Sequence, residues 1–570
     1  MHAPSITESP NELTTDIDVA SPEEMVRLLR ASDAQIYNGY RGFPALCDDV
    51  ITAKIAQAVK WAAPLMGRRD SVIVISGAGT SGRLAMFASR VFNRFLKSRR
   101  KEPNFRHLIA GTNLALIKAQ EKAEDDPHQA WTDVEPLIEG KRNVLYIGIT
   151  CAFAAPYVAS QLLRVSERRG GKCILIGFNP EDRARTLEVE NWDKTFADAV
   201  RTISTRKNCL ILNPVVGPEP ITGSTRMKGG SATKLLLEVV FALGARQAGL
   251  LPGGRSKADL ADWVRAAVLA YENTRVAAYS QAADIANLIA RGGHALRHGG
   301  HIYYVGSGTP GILGIVDASE CPPTFGAAFG DVRGFLVGGW RSLLGPGHDL
   351  SEAGRWYRIS LDNFLEEIAP TLTKHDLVVA LPGGGREPKL TEALRTARKA
   401  GAATAMIRAS GSDHIGLRLD AAVFVPDVPK SLLPGASVYG EYATKLVLNA
   451  LTTGAHVLTG KVYRNRMVDL RISNNKLWHR SIGIVSDIMG VCPETAKRCL
   501  LRSLYSVDRV TPALNNAKPS KHVEAATDAT KVVPRALILA GSGASYAEAE
   551  RLLKKEPVVR TAIERLKAGK

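Results

Sequence analysis

No run of apolar residues in this chain of 570 residues reaches the roughly 20 that a membrane-spanning helix needs. The opening stretch, MHAPSITESPNELTTDID, is polar and acidic and lacks the basic region followed by an apolar one that marks a secretory leader. Both absences lead us to expect a cytoplasmic protein without a membrane partner. Cysteine is sparse and odd in number: Cys47, Cys151, Cys173, Cys209, Cys321, Cys492 and Cys499 form no Cys-x-x-Cys pair and have no histidine at ligand spacing. Reduced thiols are expected, with no metal site. The net charge of +18 comes without a helix-turn-helix, RNA-binding or zinc-finger pattern, so no nucleic-acid partner is expected. From Lys461 to Lys570 there are 21 Lys and Arg against 10 Asp and Glu. That excess reads as a solvated basic face, which would also raise the local concentration of an anionic metabolite or acidic partner.

What is present is globular: 45% hydrophobic and 23% charged residues, in a chain too long for one core. Ser21-Pro22-Glu23-Glu24 reads as a helix start, with Ser21 as cap, Pro22 in the first turn and Glu24 closing a capping box. Short β-branched runs then alternate with helical patterns, as in a doubly wound parallel sheet. The strand candidates are 71–76, 144–149, 172–178 and 209–213, and in a second series 301–306, 377–382, 404–409 and 421–426. The two series repeat one another. Gly77-Ala-Gly-Thr-Ser-Gly-Arg-Leu84 parallels Gly306-Ser-Gly-Thr-Pro-Gly-Ile-Leu313, and Ala232-Thr-Lys-Leu235 parallels Ala443-Thr-Lys-Leu446. Repeats this long imply a duplicated domain. The expected fold is therefore α/β, two doubly wound parallel-sheet domains in tandem. An N-terminal helical segment (1–50) precedes domain 1 (51–285) and domain 2 (286–480), and a helical cap (481–570) follows.

A glycine- and hydroxyl-rich turn between a strand and a helix can cradle phosphate with backbone N–H groups and the helix N-terminus. Gly77 to Gly82 has that form, although tight packing alone would also explain it. It lacks the Gly-Lys-Ser/Thr ending of a nucleotide loop, and no magnesium carboxylate follows, so ATP is disfavoured and no cofactor is expected. In the second copy Pro310 replaces Ser81, and Ile312 replaces Arg83; that loop has lost its donors. Conversely, Asp317-Ala-Ser-Glu320-Cys-Pro-Pro-Thr-Phe-Gly326 carries an acid where the first copy has Val91. Complementary loss argues for one composite site with Glu320 reaching across; the alternative is a surface acid on a helix. The segment Gly217-Pro-Glu-Pro-Ile-Thr-Gly-Ser224-Thr225-Arg226-Met-Lys228 is also specific to the first copy. Its charges could instead lie at the surface, and its hydroxyls could be helix caps.

GAGTSGRL, GPE-x-x-TGSTRMKGGSATK, DASECPPTFG and TTGAHVLTGK…NRMVDLRISNNKL together resemble the family of bacterial N-acetylmuramic acid 6-phosphate etherases and the animal glucokinase regulatory protein. The resemblance spans nearly the whole chain and is closer in layout to the regulatory protein, a single chain of two sugar isomerase (SIS) domains with a helical cap. It implies a phosphosugar held by Gly79, Thr80, Ser81, Glu124, Thr150, Ser224, Thr225, Glu320 and Lys476. The etherases are single-domain chains that dimerise, so two domains in one chain make a monomer sufficient. Two positions depart from the family. Thr150-Cys-Ala-Phe-Ala154 has alanines where the family is rich in Ser and Gly, and Val428-Pro-Lys-Ser-Leu-Leu433 shortens the loop that grips a kinase.

The resemblance thus implies a sugar-phosphate-responsive regulator of a sugar kinase or of amino-sugar metabolism, with fructose phosphates or N-acetylmuramic acid 6-phosphate as ligand. The alternative is an etherase, a carbon–oxygen lyase releasing D-lactate. Elimination needs a base for the C2 proton and an acid for the departing C3 oxygen; Glu124 and Glu320 would take those catalytic roles. The regulator is the preferred reading.

Overall fold

A computed structural model describes residues 5–189, 192–251, 259–385, 387–409, 417–426, 431–472, 475–526 and 529–568, without the side chains of 121, 475 and 476. Two five-stranded parallel sheets organise it. The first contains β1 (Ser71–Gly77), β2 (Phe105–Ile109), β3 (Asn143–Ile149), β4 (Gly171–Ile176) and β5 (Cys209–Leu212), in the order β2-β1-β3-β4-β5. The second contains β6 (Ile302–Gly306), β7 (Val332–Leu336), β8 (Leu377–Leu381), β9 (Ala403–Ala409) and β10 (Ala421–Val425), ordered β10-β9-β8-β6-β7. Read from the other end, this is the same order, so the duplication seen in the loops extends to the topology. β1 is buried at all seven positions, with an unbroken apolar run from Val72 to Ile75, because helices cover both faces of a parallel sheet.

The eight strands expected from sequence are present, with ends shifted by at most two residues. The edge strands β2 and β7 escaped the apolar pattern. Arg106 and His107 interrupt one, and Arg333 and Gly334 the other; all four are only half-buried. An edge strand has one neighbour and less cover, so it tolerates such interruptions.

In each sheet the chain leaves the central strand pair in opposite directions, and the crevice at the carboxyl ends of that pair is where such folds take ligands. Register brings the relevant loops together. Gly77 lies opposite Ile149 and Gly306 opposite Leu381, so the loops after β1 and β3, and after β6 and β8, emerge side by side.

Two helices run through the middle of the molecule, Lys228–Gln247 and Val438–Leu458. Every residue from Lys228 to Ala245 and from Val438 to Val457 is buried. A helix buried all round belongs to a core, and here one apolar cluster extends from Ile17 through both lobes to Val462. Polar residues on such helices are expected to find partners inside the protein; the Ser231 and Thr233 hydroxyls are buried without one among the described residues.

The N-terminal helix Pro22–Asn38 is capped by Ser21, which accepts from the Glu24 N–H at 3.2 Å. The expected capping box is only half formed, because the Glu24 carboxylate turns to Arg27 instead. At the other end, helices from Asn475–Met489 to Val559–Ala568 pack around Trp478, Leu500, Val533 and Leu537 as a separate cluster. Arg560 ties this cap to the N-terminal segment through Asp16 at 2.8 Å and Asp18 at 3.5 Å. All seven cysteines are free thiols. Among the described residues no helix is long and apolar enough to cross a membrane.

One buried histidine makes stability depend on pH. His456 stacks on Phe325 at 4.5 Å and donates from Nδ1 to the Thr452 carbonyl at 2.7 Å; burial pushes its pKa down from 6.5 to about 3. As pH falls below 6.5 the unfolded chain takes up a proton that the folded chain refuses until about pH 3. Stability therefore drops through that window. We expect His456→Leu to lose less of its melting temperature than the parent between pH 7 and 4, in scans matched for buffer and salt.

Candidate functional site

The loop after β1 starts the helix Gly79–Ser98, and no side chain caps that helix. Gly79 has φ of +51°, and a Cβ there would meet nothing within 4 Å. Glycine is thus required by conformation, and the space above the turn is open. An uncapped helix start with hydroxyls at Thr80 and Ser81 suits an anion.

The other expected loops converge on the same place. Ser81 Oγ lies 4.0 Å from Cys151 Sγ in the loop after β3, where Thr150 Oγ1 accepts from the Ala154 N–H at 3.1 Å. Burial pushes the Cys151 thiol up to about 12, with Glu219 adding to the effect, so this cysteine is not a thiolate nucleophile at neutral pH. A Cβ on Gly229 would come within 2.9 Å of Cys151 Sγ, which brings the start of helix Lys228–Gln247 against this loop. Ser224 Oγ donates to Thr324 Oγ1 of the second lobe at 3.4 Å, and Thr225 is half-buried beside it. Gly79, Thr80, Ser81, Thr150, Ser224 and Thr225 therefore border one region.

Glu124 is exposed on the short turn Glu121–Asp125. Its neighbour Asp125 pairs with Arg185 at 2.7 Å, and Arg185 also donates to the Ala154 carbonyl at 3.2 Å. The turn is thereby tethered to the rim of the site. Lys476 lies on helix Asn475–Met489, but its side chain is outside the description, as are residues 427–430 of the shortened loop.

Glu320 crosses between lobes. It sits on helix Gly308–Phe325, is 6% exposed, and pairs with Arg83 of the first lobe. The remaining Arg83 donors reach the carbonyls of Leu116 at 2.9 Å and Ala115 at 2.7 Å. The two residues that sequence comparison found in one copy each are partners. Three residues earlier, on the same helix face, Asp317 accepts from Arg226 at 2.9 Å and from Tyr304 at 2.9 Å. Arg226 also donates to Thr452 at 3.1 Å and Thr453 at 3.0 Å.

Arg226 and Lys228 are buried, not surface charges. Lys228 Nζ donates to Gln35 at 2.6 Å and to the Pro218 carbonyl at 2.8 Å, and burial lowers its pKa to about 8. Glu219 fills the start of helix Lys228–Gln247, accepting from the N–H groups of Lys228 and Gly229, each at 2.8 Å. Burial raises that carboxyl to about 7. Sequence reading missed the Arg226–Asp317 pair, although a signal existed. The aligned positions in the opposite copies are Ser437 and Ala88, so each charge is again present once. A separate cavity of about 830 Å³ lies further along helix Gly79–Ser98, lined by Arg90, Arg94, Lys97, His107, Arg341 and His348; no expected site residue borders it.

Breaking the Arg83–Glu320 pair from one side strands a buried charge, a loss of about 3–5 kcal/mol. Arg83→Met should destabilise by that order in denaturant titration, and adding Glu320→Gln should restore part of the loss. Equal stability of Arg83→Met and the parent would show that the pair is not a structural tie.

Residues 54–166 match the glucokinase regulatory protein N-terminal SIS domain, residues 279–424 its second SIS domain, and residues 464–563 its C-terminal lid domain. The glucokinase regulatory protein of Xenopus laevis is 32% identical over 587 aligned residues, covering 98% of this chain and 92% of that one. The protein of the same name from Homo sapiens is 33% identical over 591, covering 99% and 92%. An N-acetylmuramic acid 6-phosphate etherase from Salmonella agona strain SL483 is 36% identical over 241, covering 41% of this chain and 78% of the etherase.

Proposed function

Because this chain belongs to the glucokinase regulatory protein family, we propose that it is a phosphosugar-binding regulator whose partner is a sugar kinase. The observation that carries this reading is the composite site. An uncapped, hydroxyl-bearing loop of the first lobe stands beside side chains from the second, and Arg83–Glu320 locks the two lobes together behind it. A ligand phosphate would sit on Gly79, Thr80 and Ser81, with Thr150, Ser224 and Thr225 around it. Glu124 and Lys476 would meet the sugar from the rim and the cap, and Glu320 would act from across the interface. A ligand touching both lobes and the cap stabilises the arrangement it bridges, so occupancy shifts which surface a partner finds. The units we assign are 1–50, 51–285, 286–480 and 481–570, working as one chain in the cytoplasm.

The etherase reading rests on similarity over 41% of the chain and on the presence of both glutamates. Against it, Glu320 is buried and engaged by Arg83, whereas Glu124 is exposed; the regulator needs no proton transfer from either.

Titration calorimetry with fructose phosphates should give one site per chain. Ser81→Ala should weaken binding by about 1.5–3 kcal/mol, the range for a hydrogen bond to a charged group, while Thr309→Ala should leave affinity unchanged. Incubation with N-acetylmuramic acid 6-phosphate should release no lactate. Lactate release abolished by both Glu124→Gln and Glu320→Gln would replace the regulator with the enzyme.

A further inference from the structure

The repeated Ala-Thr-Lys-Leu segments make helices Lys228–Gln247 and Val438–Leu458 counterparts of one another. In that alignment Lys234 corresponds to Lys445, Gly230 to Glu441, and Glu238 to Asn449. Both lysines are buried, and each faces the loop of the opposite lobe. Their surroundings differ in charge.

In the second lobe the anion position is already filled. Glu441 accepts from the Thr309 hydroxyl at 2.5 Å, and its other oxygen lies 3.3 Å from Lys234 Nζ. Lys234 also pairs with Glu238, and the loop hydroxyl of Ser307 donates to Glu387. One ammonium and the loop donors are thus matched by three carboxylates of the chain itself.

In the first lobe the same place has no side chain. A Cβ on Gly230 would lie 3.1 Å from the Thr80 methyl and 3.2 Å from Lys445 Nζ. Thr80, the counterpart of Thr309, makes no side-chain hydrogen bond among the described residues. Lys445 donates to the Arg226 carbonyl at 2.8 Å and to Asn449 at 3.4 Å, and no described carboxylate lies within ion-pair distance of it. An ammonium buried without a direct ion pair is costly: burial and the nearby Arg226 guanidinium lower its pKa to about 8, and Asp317, Glu320 and Asp33, which act on it from beyond ion-pair distance, offset this only in part. A ligand phosphate beside Thr80 would supply the direct counter-charge.

We propose that Lys445, reaching from the second lobe past Gly230, is the counter-charge for the ligand phosphate at the first loop, and that Glu441 takes the phosphate's place at the second. The inference rests on the phosphosugar reading and adds a residue from the second lobe to that site. It also explains, beyond the loss of Ser81's counterpart, why a duplicated protein keeps one ligand site: the second loop is closed by its own carboxylate.

The test grafts that carboxylate into the first loop of the full chain, as Gly230→Glu, alongside Lys445→Met. Binding is measured by calorimetry with fructose 6-phosphate and with inorganic phosphate, and folding by melting temperature. For Gly230→Glu we expect at least a hundredfold weaker fructose 6-phosphate binding, because the new carboxylate pairs with Lys445 and repels the phosphate. Lys445→Met should bind at least tenfold more weakly and lose part of its salt dependence, since one charge–charge contact is gone. Should Gly230→Glu fail to fold, Lys445→Met alone decides. Wild-type binding of fructose 6-phosphate, matched within threefold by the folded variants, would overturn this inference and leave the phosphosugar reading standing. A wild-type protein that binds neither probe would overturn both.

Discussion

Charge buried between two lobes is the constraint on which the rest of this molecule depends. The lobes share one apolar core, crossed by two helices with no exposed face. Each ionised group on those helices, or against them, needs a partner there, because an unpaired charge in such surroundings costs several kcal/mol. Arg83–Glu320 and Arg226–Asp317 meet that need across the interface, and both pairs join residues that each copy holds alone. The lobes are therefore interdependent. Neither half could separate without exposing apolar surface and stranding charges.

The same constraint makes the two copies of the duplicated domain differ. Backbone topology is repeated strand for strand, so both lobes offer a crevice at the carboxyl ends of their central strands. What distinguishes them is the sign of the charge placed there. The second crevice holds Glu387 and Glu441 on its loop hydroxyls, and the first holds Gly230 and Lys445 instead. Nearby, Glu219 fills the start of helix Lys228–Gln247. That helix N-terminus is therefore already occupied, which leaves the start of Gly79–Ser98, without a side-chain cap, as the open one of the two in the first lobe.

The departures at the loop after β3 also have a structural account. Phe153 adopts φ of +53° and packs its ring where any side chain on Gly177 would clash, stacked on Phe196. Thr150 braces the turn through the Ala154 N–H. The alanines cost the loop hydroxyl donors but leave its backbone held from both sides, so a phosphate here would rely on N–H groups and on the threonine.

Sequence alone determined the class of fold, the duplication and eight of the ten strands, because apolar runs of parallel strands and glycine-bearing turns are local features of the chain. It also singled out Glu320 and Arg83 as charges present in one copy, though not that they meet. Only the tertiary structure paired them, buried Arg226 and Lys228 where a surface position was equally open, and sent Glu24 to Arg27 instead of closing a capping box. It alone set Lys445 beside Thr80 and Glu441 on Thr309. The reason is physical: periodicity reports whether a residue faces the core, whereas the partner of a buried charge is fixed by which elements meet across long stretches of chain, 91 residues for Arg226 with Asp317 and 237 for Arg83 with Glu320.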